Sequence, residues 1–280
     1  MTHSFHPVHS LKLQPELQQP WYNFREYPSN PRLESHVASF WTMDFRPVPG
    51  KPSHRVIPDG CIDIVVDLLS PSSRKAAYIV GLTTRSEVLQ FSEARSLFGI
   101  RIYSESARSI LKIPLSAFTG QRIYLEDVLG FKEMYWVEEI LSATTISEIV
   151  AVAEYHLVRM LADSDIAMNP LVYESLQIIY GRKGNLSVTN LANQVHFSER
   201  HLRRVFNQEL GLGPKEMLGI IRFQSTLQDF FRGGYSSLAD LALKYGYYDE
   251  SHFANTFKQY YGLSLRSLIS KKRRSPIFPI

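Results

Sequence analysis

Arg200, His201, Arg203 and Arg204 crowd into five consecutive positions around Leu202, four residues before Phe206. On a helix Leu202 and Phe206 share the inward face, which sends the basic side chains outward. An arginine fork pairs bidentately with a phosphate or with the O6/N7 edge of guanine, so Arg203 or Arg204 could clamp a base. A second set, Glu250, Ser251, His252, Asn255 and Lys258, surrounds Phe253 and Phe257 in the same way. There Glu250 could accept from a cytosine amino group or simply complement a helix N-terminus, and Asn255 could pair with adenine.

Bond-breaking chemistry has little to work with. No Ser-His-Asp set, paired carboxylates or phosphate loop is evident, and the single cysteine, Cys61, sits in an apolar strand context with no adjacent base to activate it. His54, Asp59 and Cys61 could in principle touch a metal, but no second His/Cys cluster completes four ligands, so no metal or other cofactor is expected. Arg101, on an apolar strand, is the one candidate ligand-binding residue of the N-terminal part. A buried guanidinium needs an anion, either an internal Asp or Glu or a bound acid, and the internal partner is favoured.

The elements that position the two basic or polar sets form a repeat. Leu191-Ala192, Val195, Phe197, Leu202, Phe206 and Gly211-Leu212 recur as Leu241-Ala242, Tyr245, Tyr247, Phe253, Phe257 and Gly262-Leu263. The offset is 50 up to Tyr247 and 51 from Phe253, which places one inserted residue at the start of the second copy's later helix. Each copy reads as a short helix, a tight turn and a second helix, with Ala192 and Ala242 where two helices must approach closely. Ser198 and Asp249 are placed to cap the second helices. Pro214 to Arg232 reads as one continuous helix joining the copies. Two helices so held could enter successive major-groove segments about 34 Å apart on straight DNA, or closer on bent DNA.

This arrangement over about residues 170–272 resembles the DNA-binding domain of AraC/XylS-type transcription regulators, above all in the run Ala242 to Ser264. Leu265 stands where that family usually has proline and Asn255 where arginine is common. Pro28-Ser29, Phe40-Trp41, Pro58 to Asp63 and Gly99 to Ile102 more loosely resemble a sensor domain of such regulators, although Tyr103 to Ser106 replace the usual Phe-x-Pro-Gly. The resemblance implies an effector-sensing or self-associating N-terminal domain. The same module is sometimes fused to DNA-repair chemistry, which would need a reactive cysteine that Cys61 does not resemble.

Composition and charge agree with that reading. Of 31 Lys/Arg and 27 Asp/Glu, 15 and 8 lie from residue 166 onward, a net of +7 against −3 for the rest; a basic module draws in polyanions. The run Lys271 to Arg274 could add phosphate contacts. No apolar stretch is long enough to span a bilayer and the start lacks a signal-peptide core, so a cytoplasmic location without membrane contact is expected. The expected fold is α+β in two domains. An arm at 1–20 precedes a mainly β domain at 21–165, a barrel or sandwich with cupin-like form among the alternatives, ending in helices; an all-α double helix-turn-helix domain follows at 166–280. The amphipathic stretch Ile146 to Ala162 would pack on the β domain or pair with a second subunit, and residues 162–170 read as a linker. The expected function is sequence-specific regulation of transcription, with a small-molecule effector or self-association as control. Regulation by a protein partner, independent of ligand, is the alternative. Promoter duplex DNA is the main expected partner; RNA polymerase, an effector and a second copy of the chain are the other candidates.

Overall fold

A computed structural model describes residues 5–7, 20–48, 54–130, 134–233 and 235–274, the last four of these by backbone alone. Most of the expected arm therefore lies outside the described residues, as do the side chains of Lys271 to Arg274. Phe5 is buried and stacks on Tyr180 at 5.0 Å between ring centres.

The strands are β1 (Tyr22–Tyr27), β2 (Val37–Phe45), β3 (His54–Val56), β4 (Cys61–Asp67), β5 (Ala77–Val80), β6 (Glu87–Leu89), β7 (Arg95–Tyr103) and β8 (Arg122–Tyr124). Six form one sheet in the order β1-β2-β7-β4-β5-β8, and β3 pairs with β6 as a separate ribbon. All pairs are antiparallel. Alternation along the strands gives the sheet two apolar faces. Phe40, Ile62, Ile64, Ile100 and Ile102 belong to the main core, while Trp41, Met43, Val65 and Leu97 form a second cluster on the opposite face. The expectation of a mainly β N-terminal region is met by this six-stranded sheet and the ribbon beside it. Pro58-Asp59-Gly60 does not close a hairpin: it carries the chain from the ribbon into the sheet, since β3 and β4 do not pair.

The helices are α1 (Ser73–Ala76), α2 (Ser104–Leu111), α3 (Leu125–Leu129), α4 (Tyr135–Ser142), α5 (Ile146–Ala162), α6 (Pro170–Gly181), α7 (Val188–Gln194), α8 (Glu199–Leu210), α9 (Pro214–Arg232), α10 (Leu238–Lys244), α11 (Glu250–Tyr261) and α12 (Leu265–Arg274). Helix α5 starts with a capping box, Thr145 with Glu148, whose carboxyl the Thr144 and Thr145 hydrogen bonds hold below the usual range. Its stripe of Ile149, Ala153 and Leu157 is buried in the main core, which favours packing within the chain. Leu265, where proline was the familiar residue, starts α12; the Ser264 hydroxyl accepts from the Ser267 N–H there.

The N- and C-terminal parts share one continuous buried cluster. The Gln224 amide of α9, fully buried, donates to the Pro58 carbonyl at 2.8 Å. Arg108 of α2 pairs with Glu209 in the last turn of α8. Gly60 has a φ of +80°, and a Cβ there would lie 3.1 Å from Ile221 of α9.

Candidate nucleic-acid interface

The two motifs are built alike, from the caps upward. In the first, Ser187 accepts from Asn190 N–H to start α7, and Ser198 accepts from His201 N–H at 3.3 Å to start α8. In the second, Ser237 starts α10 through Asp240 N–H, and Asp249 accepts from His252 N–H at 2.6 Å to start α11. Both later helices have 12 residues and end on glycines in the left-handed region, Gly211 at φ +70° and Gly262 at +81°. Ala192 and Ala242 are buried, and their carbonyls accept from the N–H groups of Phe197 and Tyr247 across each turn, both at 3.0 Å.

The inserted residue is placed differently from the expectation. Helices α7 and α10 are offset by 50 and α8 and α11 by 51, and the whole of α11, cap included, keeps the second offset. The extra residue therefore lies in the turn, between Tyr247 and Asp249. It is Tyr248, the most exposed large hydrophobic among the described residues, at 87%. A turn accepts an insertion at little cost, whereas a helix would rotate every later residue by about 100°. This aromatic was not singled out from sequence; the shift in offset was the available signal.

On α8, Leu202, Val205 and Phe206 face inward, while Arg200, Arg203 and Arg204 are exposed. Arg203 reaches back to Glu199 at 3.3 Å, and Arg204 donates to Gln208 at 3.2 Å. Hydrogen bonds from Thr189 and Arg203 hold the Glu199 carboxyl below its usual range. Arg200 has no hydrogen-bond or ion-pair partner among the described residues. His201 is not a free outward group: its ring stacks on Phe197 at 5.0 Å and is half-buried, so it braces the face that the arginines present. On α11, Glu250, Ser251, His252, Asn255 and Lys258 are all exposed, around an inward set of Phe253, Phe257, Tyr260 and Tyr261. By the shared caps Asn255 occupies the position of Arg204 and Lys258 that of Asn207. The first face is thus the more cationic, and both faces lie on rigid, doubly capped helices.

Arg101 lies elsewhere. The β4–β7 register puts it opposite Asp63, to which it donates from Nε and Nη2, both at 2.9 Å. Asp59 lies 3.2 Å from its other terminal nitrogen. The internal anion favoured from the sequence is therefore a pair of carboxylates, and their charge occupies the guanidinium. Burial raises the Asp59 carboxyl to about 6, with Arg101 opposing and Asp63 reinforcing the shift. Cys61 is buried, and burial pushes its thiol well above the ordinary value, the opposite of what a nucleophile needs.

Residues 191–270 match the family model of a helix-turn-helix domain, and residues 25–124 that of a domain of unknown function, DUF6597. An uncharacterized HTH-type transcriptional regulator of Haemophilus influenzae is 33% identical over 89 residues, covering 32% of this chain and 30% of that protein. The probable thc operon regulatory protein of Rhodococcus erythropolis is 33% identical over 81 residues, 28% of this chain and 24% of that protein. The chain thus spans less than a third of the curated relatives it matches; both are named as regulators and neither as an enzyme. Among solved structures, the C-terminal domain of AraT from Geobacillus stearothermophilus is 23% identical, with a TM-score of 0.34, over 38% of this chain and 87% of that one. ToxT from Vibrio cholerae is 11% identical, with a TM-score of 0.42, over 90% of this chain and 98% of that one. Fold and caps define a tandem helix-turn-helix unit behind a β-rich module. That unit is a helix-turn-helix domain by its family model. No helix among the described residues is long and apolar enough to cross a membrane.

Proposed function

We propose that this protein is a sequence-specific DNA-binding transcription regulator whose N-terminal module controls the C-terminal one in response to a small molecule. The observation that carries the reading is the pair of equally capped helices α8 and α11, tied by the single buried helix α9, with Arg200, Arg203 and Arg204 exposed on the first. In this reading Arg203 or Arg204 contacts a guanine edge and Arg200 a phosphate. Asn255, Ser251, His252 and Lys258 read or anchor the second segment, and Glu250 sits at its helix start. Docking of α8 and α9 on the N-terminal part supports control by that part, because a change there is transmitted through packed side chains.

Selection of bound duplexes from a randomised pool by the full chain, at moderate salt, tests the reading. Enrichment of a motif with two half-sites is expected; no enrichment overturns it. In Arg203→Ala/Arg204→Ala the preference at the first half-site should relax by about 1–3 kcal/mol per lost base contact. A loss that is uniform over all sequences would assign both arginines to phosphates alone.

A further inference from the structure

Beside the β3–β6 ribbon and the second face of the sheet lie two adjoining chambers that share Tyr78, Phe91, Leu97 and Arg122 in their walls. The outer one, about 440 Å³, opens between β5, β8 and the start of β7. Behind the shared Tyr78, Phe91 and Leu97 is an inner one of about 50 Å³, walled also by Trp41, Met43 and Val65. The outer volume is in the range of small-molecule sites, and the inner chamber takes only the tip of an apolar group.

The charges are distributed unequally between the two. In the inner chamber Arg101 is neutralised by Asp63 and Asp59, and His54 is kept uncharged by burial, its Nδ1 hydrogen-bonded with the Tyr22 hydroxyl at 2.6 Å. At the mouth Asp67 is occupied by Arg95 at 2.7 Å. Lys75 and Arg122 line the same mouth, and neither has an ion-pair partner among the described residues. Tyr78 and Tyr124 add hydroxyls beside them. Burial holds the Tyr78 hydroxyl protonated, pushed up to about 12, so it remains a donor. An apolar, aromatic floor below two uncompensated cations fits a molecule with a flat or branched apolar body and a single anionic head.

We propose that this cavity binds a small aryl or alkyl carboxylate, its apolar body on Phe91 and Leu97 with only its tip toward Trp41, and its carboxylate between Lys75 and Arg122. This rests on the reading that the N-terminal module answers to a small molecule, and it names the class of that molecule. It also names the moving part. The ribbon that roofs the inner chamber through His54, Val56 and Leu89 touches α11 with its other side: Arg55 lies over the Tyr261 ring at 5.6 Å, and the Ser86 N–H, next to β6, donates to the Gln259 carbonyl at 3.4 Å.

Titration calorimetry of the full chain with 3-phenylpropionate, 3-phenylpropylamine and 3-phenylpropanol holds the apolar body constant and varies the head. Saturable binding of the carboxylate is expected, with the alcohol about tenfold weaker and the amine weaker still. Lys75→Gln/Arg122→Gln, both at exposed positions, should lower carboxylate affinity about tenfold and leave the alcohol unchanged. Equal binding of the three probes, no binding of the carboxylate at millimolar concentration, or an unchanged double variant each overturns the proposal. The calorimetry contains no DNA, so a protein that selects a duplex motif but ignores the carboxylate refutes this inference alone. One that binds the carboxylate but selects no motif refutes the DNA reading alone.

Discussion

His54 provides a measurable consequence of the cavity's construction. Its ring is enclosed by the ribbon and the sheet, and burial, followed by the Arg101 charge, lowers its pKa from 6.5 to about 4, with Asp63 opposing. A folded-state pKa below the unfolded one means that the contribution to stability is whole above pH 6.5 and is lost as pH falls toward 4. With those two values the loss is about 2 kcal/mol at pH 5 and about 3 kcal/mol at pH 4, an upper figure because the half-buried ring keeps some access to the cavity. Asp59 works in the other direction. Its raised carboxyl contributes fully below pH 3.8 and ceases to contribute as pH rises through about 6, so the acid response of the wild type is muted. The comparison that isolates His54 is therefore a double difference. His54→Asn keeps an oxygen near Nδ1 for the Tyr22 hydroxyl and removes the titration. Urea unfolding of both proteins at pH 8 and pH 5 should show the wild type losing about 2 kcal/mol relative to the variant between the two pH values. A change in that gap under about 0.5 kcal/mol, or a His54 Cε1 proton that titrates near 6.5 by NMR, would refute the assignment of a buried, neutral imidazole.

Two further substitutions probe the frame around the sites. A Cβ at Gly99 would lie 1.9 Å from the Trp41 ring, so Gly99→Ala must displace an indole that donates to Asp63 at 3.0 Å. A loss of about 1–3 kcal/mol in thermal unfolding and a changed tryptophan emission are expected, and a neutral result would mean that the indole does not lie across this strand. Glu209→Gln removes the carboxylate that meets Arg108 between α8 and α2. The pair is partly exposed, so a modest loss of about 1 kcal/mol is expected together with faster proteolysis at the exposed connection between α5 and α6; cleavage at the wild-type rate would refute a docking role for the pair.

The long elements were legible because their periods are long. Val37 to Trp41, Ile62 to Val66 and Leu97 to Ile102 announce β2, β4 and β7, and the apolar positions of Pro214 to Arg232 delimit α9 with its own ends. The ribbon was not legible. His54–Val56 and Glu87–Leu89 have three residues each, too few to show alternation, and their pairing depends on contacts some thirty residues apart along the chain. Helix α2 was hidden for a different reason: Ser104, Glu105 and Ser106 read as surface, yet all three are buried, with Glu105 accepting from the Tyr180 hydroxyl at 2.9 Å. The Arg101 demand for an anion could be read from one strand, but which acid met it required the register that sets Asp63 opposite. The cations of the cavity mouth could not be selected at all, since Lys75 and Arg122 are ordinary surface residues until the β5–β8 pairing brings their segments together.

The manner of docking bears on how control could operate. The N-terminal part holds both recognition helices at their C-terminal ends, where the last carbonyls of a helix lack partners. The Ser116 hydroxyl donates to the Gln208 carbonyl at 2.7 Å and that of Thr119 to the Leu210 carbonyl, while Ser86 serves Gln259. The glycines that end the two helices also admit these contacts: a Cβ at Gly211 would stand 2.8 Å from Thr119, and one at Gly262 2.7 Å from the Ser86 hydroxyl. Hydrogen bonds of this kind exchange with water at a net cost of about 0.5–1.5 kcal/mol each, so they can be made and broken within the energy that a bound ligand supplies. They lie at the far end of each helix from Arg200 and Ser251, which remain uncovered. This contact therefore leaves the exposed side chains at the start of both helices open. Because the ribbon meets α11 while Ser116 and Thr119 meet α8, a shift of one relative to the other changes the angle between the two helices without hiding either. Control by such a shift would alter which half-site spacing is read, and would leave the base preference within each half-site as it was.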